Sequence, residues 1–321
     1  MVNVVPPQDA RKIIEDIQRL KTGYGLKGLE DPVTNKAWQE KNRELNRALK
    51  RLSEDLYRKK THFVMELIQN AEDNTYNLDI QPYLRFSIKP NTLIVSNNEA
   101  GFGSEDVKNI CSVGQTTKSK EKGLGYIGEK GIGFKSVFKI SHSPKIISNG
   151  FQFEFRHSDG DDLGYIVPYW LPTIPEDIDP RVTTIILPLR KDARDQLGLF
   201  ETIDPTLILF LRKLQRIEIV DSIRGISKTV TKSEDNGLVT LENQDQNQYW
   251  RIIRTTLSVP TEIGEQDAKR QGATTTEIVL AFPVSGTGLP ISIRKGPKPD
   301  IFAFLPVKKC GFNFIIQADF L

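Results

Sequence analysis

Apolar residues change their period several times along this chain. In Thr61–Asn74, THFVMELIQNAEDN, Val64, Leu67, Ile68 and Ala71 recur at helical spacing and predict one buried face. Glu66, Asn70 and Asp73 fall at i, i+4 and i+7 and therefore share a second face of that helix. Upstream, Asp9 is placed to cap a helix through Leu20 with Ile13, Ile14, Ile17 and Leu20 on one side. Gly23–Asn35 reads as a connector, and Lys36–Lys59 as a long helix striped by Leu45, Leu49, Leu52 and Leu56. The period then shortens to two. Tyr83–Ile88 and Asn91–Ser96 predict a hairpin turning near Pro90 and Asn91, Ser104–Cys111 a short helix capped by Ser104, and Lys145–Ser148, Phe151–Arg156, Gly164–Trp170 and Thr183–Leu189 further strands.

These elements predict an α+β fold in which helices cover one face of a mixed, mostly antiparallel sheet. A boundary is expected near 191–198, dividing the chain into residues 1–195 and a smaller α+β unit over 196–321. In the latter, Pro205–Leu214 reads as a buried helix with Pro at its start. Arg216–Val220, Tyr249–Val259, Thr275–Pro283, Ile301–Pro306 and Phe312–Phe320 read as strands. Phe314–Leu321 ends inside an apparent strand, so the chain is expected to be a piece of a larger protein.

Composition narrows the class. With 321 residues the chain is long enough for about two cores, and 38% hydrophobic and 26% charged residues are ordinary for a globular protein. A net charge of +3 gives no global case for nucleic acid. Local charge is different: between Gln115 and Lys145, seven lysines (Lys118, Lys120, Lys122, Lys130, Lys135, Lys139, Lys145) stand against Glu121 and Glu129, a field suited to a polyanion. Cys111 and Cys310 alone make neither a disulfide framework nor a zinc site, and His62, His142 and His157 share no metal-ligand spacing. No apolar run of membrane length is present, so an intracellular location in cytoplasm or nucleus is expected.

Three stretches carry candidate chemistry. A carboxylate, a carboxamide and a carboxylate at Glu66, Asn70 and Asp73 suit a hydrated divalent cation and a water to be activated, or else a solvated helix face. Leu93–Gly103, LIVSNNEAGFG, is an apolar strand that passes through Glu99 into Gly101 and Gly103; an acid there can accept a hydrogen bond from an exocyclic amine. Lys122–Ile140, KGLGYIGEKGIGFKSVFKI, sets Gly128, Gly131 and Gly133 ahead of a helix predicted to begin at Phe134, a place for a phosphate. It is neither a P-loop, which would need G-x-x-x-x-G-K-[ST], nor a Rossmann fingerprint, since Lys118–Gly125 is polar where a strand is required.

In this order the three stretches resemble the nucleotide site of the GHKL superfamily, which includes gyrase B, the ninety-kilodalton heat-shock chaperones, sensor histidine kinases and MutL. Glu66-Asn70-Asp73 is similar to its N box, Glu99-x-Gly101-x-Gly103 to its D-x-G-x-G box, and Gly128-x-x-Gly131-x-Gly133 to its second glycine box. Arg181–Asp192 is similar to the late strand that places a threonine, here Thr183, beside adenine. Within the superfamily, HFVMELIQNAEDN, NNEAGF, VGQTTKSK and YIGEKGIGFKSVF look closest to the ATPase modules of sacsin-like and plant NO VEIN-like proteins. The resemblance implies a Bergerat-type α/β sandwich that binds ATP and Mg²⁺ and hydrolyses ATP slowly, with Glu66 orienting or deprotonating water and Asn70 ligating the metal. It further implies that Asp73 supports the nucleotide side of the helix, that Glu99 receives the adenine amine, and that N–H groups around Gly131, Gly133 and Phe134 hold phosphates. Lys118 and Lys130 are candidate phosphate contacts. Two positions depart from the family: Glu99 replaces the usual Asp, and Val182 the usual Gly before Thr183.

The implied role is an ATP-driven conformational or self-association switch in a chaperone-like or regulatory protein, with Ser112–Gly125 as a lid over the nucleotide. In the second unit Arg294, Lys295, Lys308 and Lys309 are the cations available to a γ-phosphate. The competing readings are a nucleotide-binding module with little hydrolysis, a histidine kinase, and a nucleic-acid or scaffold domain using Arg43, Arg47, Lys50, Arg51 and Arg58. For the kinase, no helix bears a phospho-acceptor His in the required place.

Overall fold

The computed structural model describes residues 4–23, 31–56, 62–112, 133–157, 163–193, 197, 200, 203–244, 246–259, 274–291, 300–303, 305–309 and 311–318. The fold is α+β, with mostly antiparallel strand pairing and few helices. It forms two units, residues 1–202 with 218–227, and residues 203–217 with 228–321.

The first unit contains helices α1 (Pro7–Thr22), α2 (Pro32–Leu56), α3 (His62–Asp73) and α4 (Ser104–Ile110), and a 3₁₀ helix at Gly133–Lys139. Its strands are β1 (Tyr83–Lys89), β2 (Thr92–Asn97), β3 (Lys145–Ser148), β4 (Phe151–Phe155), β5 (Pro168–Trp170), β6 (Thr183–Pro188) and the later part of β7 (Arg216–Asp221). They lie side by side as β7-β1-β2-β6-β3-β4-β5. The β1–β2 hairpin turns at Pro90 and Asn91 as the alternation predicts. β2 is buried on both faces: Leu93 and Val95 join one core, while Ile94 meets Ile147 and Ile186 beneath Ile174 and Ile178 on the other.

Three helix starts differ from expectation. α1 begins at Pro7 with Pro6 as N-cap, so Asp9 acts in the first turn, where a carboxylate favours the helix dipole. Its buried face is Ala10, Ile14 and Ile17, and Leu20 is exposed. α2 starts earlier than Lys36, because the Asp31 carboxylate accepts the Thr34 N–H at 2.8 Å. α4 is capped at Gly103, whose N–H donates to Asp106 Oδ2 at 2.9 Å, and not at Ser104. α1 packs on β4 and β5, and α3 against the 3₁₀ helix. Phe63 of α3 and Phe86 of β1 close on Phe200, with ring centroids 6.3 and 5.0 Å from it.

The second unit places strands β8 (Ile226–Asp235, from Lys228 on), β9 (Leu238–Asn243), β10 (Gln248–Ser258), β11 (Thr275–Val284), β12 (Asp300–Ala303), β13 (Leu305–Lys309) and β14 (Ile315–Ala318) in the order β8-β9-β10-β11-β14-β12-β13. β12 and β14 run parallel. The apolar segment expected as a buried helix over Pro205–Leu214 is a shorter 3₁₀ helix, Pro205–Phe210, capped by the Asp204 side chain on the Thr206 N–H; Leu207, Ile208, Leu209 and Phe210 are buried. The hairpin of β8 and β9, turning through Asn236 (φ 48°) and Gly237 (φ 73°), is an addition to the expected strands.

Candidate functional site

The helical stripe of α3 folds as its spacing requires. Val64, Leu67, Ile68 and Ala71 are buried, and Glu66 and Asn70 are half-buried on the opposite side, followed by Asp73, which is buried. Among the described residues the Asn70 carboxamide takes no hydrogen bond, so its oxygen is available to a ligand.

Glu66 reaches the one glycine of the second glycine box that is described. A Cβ built on Gly133 would stand 2.0 Å from Glu66 Oε2 and 3.0 Å from its Cδ. Gly133 is not among the left-handed glycines, so the glycine is required for close approach of the carboxylate and not for its own backbone angle. The segment that follows differs from the expected α-helix in being a 3₁₀ helix of 7 residues, Gly133–Lys139. Gly128, Gly131, Lys118 and Lys130, with the expected lid at 112–125 beyond Ser112, lie outside the described residues.

Lys135 reverses one expectation. Counted above among the lysines facing a polyanion, it is 3% exposed and points inward. Its Nζ donates to the carbonyl oxygens of Ile110, at the end of α4, and Tyr165, at 2.8 Å for the latter. The ammonium stands 4.7 Å from the Phe155 ring centroid and 5.5 Å from that of Phe134. Burial lowers its pKa to about 7, against a smaller upward pull from the neighbouring Cys111. Burial in turn pushes the Cys111 thiol up to about 12, and it lowers Lys21 of α1 as well. Phe134 packs its ring on Phe155 and Phe138, with centroids 5.9 and 6.5 Å away.

The second half of the site lies at the ends of β2 and β6. Pairing of these strands puts Asn97 opposite Thr183, both buried. Asn97 Oδ1 accepts the Glu99 N–H at 3.2 Å, which turns the chain out of β2 with Glu99 half-buried beside the strand end. Gly101, at φ 92°, leads the loop back under Asn149, whose Cβ would be 2.6 Å from a Cβ on Gly101. Ser148 Oγ accepts the Phe102 N–H at 2.9 Å and Asn149 Nδ2 donates to the Phe102 carbonyl at 3.0 Å. The Ser148 and Thr183 hydroxyls are 2.6 Å apart. By contrast a Cβ on Gly103 would meet nothing closer than 3.6 Å, so that glycine is not sterically demanded here.

The loop after α3 joins the halves. Thr75 accepts the Ala100 N–H at 2.8 Å, and the Tyr76 hydroxyl donates to the Ala71 carbonyl at 2.8 Å. Burial, then the negative charges of Glu99 and Glu72, raise the Tyr76 pKa, which keeps the phenol a donor. Tyr76, Lys135, Ser148 and Asn149 were not singled out from the sequence as site residues. Only Asn149-Gly150 carries a local signal, that of a tight turn.

An open cavity of about 680 Å³ between α1 and α2, lined by Glu15, Arg19, Trp38 and Gln39 among others, contains none of the candidate residues. Among the described residues no three His, Cys, Asp or Glu cluster as metal ligands, and no helix is long and apolar enough to cross a membrane.

A family profile described as "Sacsin domain" matches residues 85–155, from β1 to the end of β4. The chain is similar to Protein NO VEIN of Arabidopsis thaliana, 34% identical over 339 aligned positions that cover 96% of this chain and 12% of that protein. It is also similar to the chaperone protein HtpG of Aliivibrio salmonicida (26% identical, 53% of this chain, 30% of that protein) and of Vibrio vulnificus (28%, 53% and 30%). The chain thus spans less than a third of each of these relatives. The likenesses fit the GHKL-like ATPase module that the motifs resemble.

Proposed function

We propose that the first unit is a Bergerat-type module that binds ATP with Mg²⁺ and hydrolyses it slowly, as part of a larger chaperone-like or regulatory protein. The observation that carries this reading is the seating of the Glu66 carboxylate against Gly133, because a general base must lie where the phosphate-holding loop brings its substrate. Asn70, with its carboxamide unengaged among the described residues, supplies one oxygen to Mg²⁺. A single side-chain donor suits this ion, which keeps several waters and takes the rest of its shell from phosphate. Glu99 accepts the adenine amine and Thr183 lies beside the base, with Asp73 supporting the nucleotide side of α3 and Gly101 and Gly103 in the loop that follows Glu99. Phosphates are held by backbone N–H groups near Gly131, Gly133 and Phe134, with Lys118 and Lys130 as further contacts.

The chaperone relatives support the nucleotide reading, and nucleotide state is then available to drive a conformational or self-association switch. Calorimetric titration with ATP and ADP, with and without Mg²⁺, followed by phosphate release from the parent and Glu66→Ala, tests the proposal. Binding and turnover in the parent with binding alone in the variant are expected. Absence of adenine-nucleotide binding refutes it, and binding without turnover in the parent reduces it to a nucleotide-binding module.

A further inference from the structure

Ser148 is fully buried, and its hydroxyl has two partners among the described residues, the Phe102 N–H at 2.9 Å and Thr183 Oγ1 at 2.6 Å. A hydroxyl holds one proton and two lone pairs. The Phe102 N–H occupies a lone pair, so among the described residues the Ser148 proton has a single acceptor within reach, Thr183 Oγ1. Were Thr183 the donor instead, the outstanding proton would be that of Ser148, which is 0% exposed and already flanked by Phe102 and Thr183, whereas that of Thr183, at the end of its strand, is the one a bound acceptor can take. Thr183 thus receives a proton from Ser148 and has its own still to give. Thr183 is 4% exposed, and among the described residues no side chain or carbonyl accepts that second proton.

We propose that Ser148 is a specificity-determining positioning residue: by donating to Thr183 it fixes the Thr183 hydroxyl as a donor toward the ligand. The inference rests on the nucleotide reading above and deepens it. Glu99, at the end of the strand paired with that of Thr183, is an acceptor when ionised. An acceptor and a fixed donor at one strand end match a base edge that offers an amine and, beside it, a ring nitrogen with a lone pair. Adenine has that edge through its 6-amino group and N1. Hypoxanthine and guanine have the reverse, a 6-oxo acceptor and an N1–H donor, so both contacts would be opposed. A site built around hydrogen bonds of fixed direction rejects the mismatched partner strongly, because its own buried groups are then left unpaired.

Binding of ATP and of inosine triphosphate, which differs from ATP only along this edge, is measured by calorimetry with the parent, Ser148→Ala and Ser148→Thr. The parent is expected to prefer ATP by roughly 100-fold or more. In Ser148→Ala the Thr183 hydroxyl is free to rotate and accept an N1–H, so the preference falls by about 10-fold, and Ser148→Thr, which keeps the hydroxyl, restores it. A purely structural role would weaken both ligands equally and leave the ratio unchanged; that result overturns the inference while leaving the ATP reading intact. Failure of the parent to bind any adenine nucleotide overturns both. Should Ser148→Ala not fold, 1-deaza-ATP, which lacks the N1 acceptor, gives the same test: the parent should bind it about 10-fold more weakly than ATP, and Thr183→Val should bind the two alike. A parent indifferent to the loss of N1 overturns the inference.

Discussion

Replacing Lys135 by Met removes a buried cation whose surroundings make its energetic effect dependent on pH. In the folded chain burial holds the Lys135 pKa at about 7, against 10.5 for a solvated lysine side chain, with Cys111 and Lys21 the charged or titratable neighbours. Between these values the unfolded chain is protonated at this position and the native one is not, so the unfolded state binds more protons and stability rises with pH. Below pH 7 both forms carry the proton and the contribution no longer changes. Integrated from pH 7 to pH 9, the two pKa values give a gain of about 2 kcal/mol.

Lys135→Met lacks this gain, and it also leaves the Ile110 and Tyr165 carbonyls without their donor, at roughly 1–3 kcal/mol each. The variant should therefore be less stable than the parent at pH 7 by about 2–6 kcal/mol, and the gap should widen by about 2 kcal/mol at pH 9. Urea midpoints of both proteins at pH 6, 7, 8 and 9 measure it. With a slope of roughly 3 kcal/mol/M, the pH-dependent part appears as a shift of roughly 0.7 M in the difference between midpoints. Taking the difference cancels the groups that do not interact with Lys135, which leaves Cys111 and Lys21 as the neighbours whose contribution can change with it. A gap that is constant across pH 6–9 refutes the assignment of Lys135 as a buried amine that is neutral above neutrality.

The remaining predictions concern the proposed nucleotide site. Gly133→Ala should fold normally, since Gly133 has no left-handed φ and the obstructing atoms are the end of a flexible side chain, yet turnover should fall by about 10²–10⁴-fold as the Glu66 carboxylate is displaced. Phosphate release checks this, and Gly133→Ala added to Glu66→Ala should lose nothing further; an additional loss would place Gly133 in some other role. Glu66→Ala should bind ATP with parental affinity while losing turnover by a similar ~10²–10⁴-fold. Glu99→Ala should weaken ATP by about 1–3 kcal/mol, roughly 5- to 150-fold by calorimetry, because the adenine amine loses its acceptor. An unchanged affinity there would move the role to Asn97 or Asn98.

Where the sequence was legible, one side of an element faced a core and the other did not. α3 could be read because four buried positions follow the helical period and the candidate side chains occupy the face left over. The β1–β2 hairpin was readable for the same reason at period two. In α1 the structure departs from the apolar pattern at Leu20: a small residue, Ala10, completes the buried face while the larger Leu20 is outside, because position on the helix and not side-chain size decides burial. The β8–β9 hairpin carried a strong turn signal in Asn236-Gly237, yet β8 has an almost wholly polar sequence and no fully buried residue, so no apolar alternation drew attention to it. Asn97, Ser148 and Thr183 meet through strand register, and register between β2, β6 and β3 is fixed by pairings far apart in sequence.

Lys135 shows why a charge count along the chain cannot stand for a field. Seven lysines against two glutamates around the glycine segment suggest a polyanion, but the count treats each side chain as pointing outward. On the 3₁₀ helix that follows Gly133, residues 135 to 138 are all buried, so the backbone carries a cation into the core. Two carbonyls and two aromatic faces receive it there, partners that no local pattern announces because they come from α4, β4, the helix itself and the turn at Tyr165. The inward amine, a donor in either protonation state, ties the end of α4, just before the glycine segment, to the helix just after it. Any electrostatic attraction for phosphate must then come from the other lysines and from backbone N–H groups. Lys135 contributes by holding the two ends of that segment together, and so Lys135→Met should lower nucleotide affinity without reducing its salt dependence, whereas loss of a lysine that touches phosphate should reduce both. Equal salt dependence in the parent and Lys135→Met, measured by calorimetry from 50 to 300 mM salt, is the expected result; a shallower dependence in the variant would return Lys135 to the phosphate-facing set.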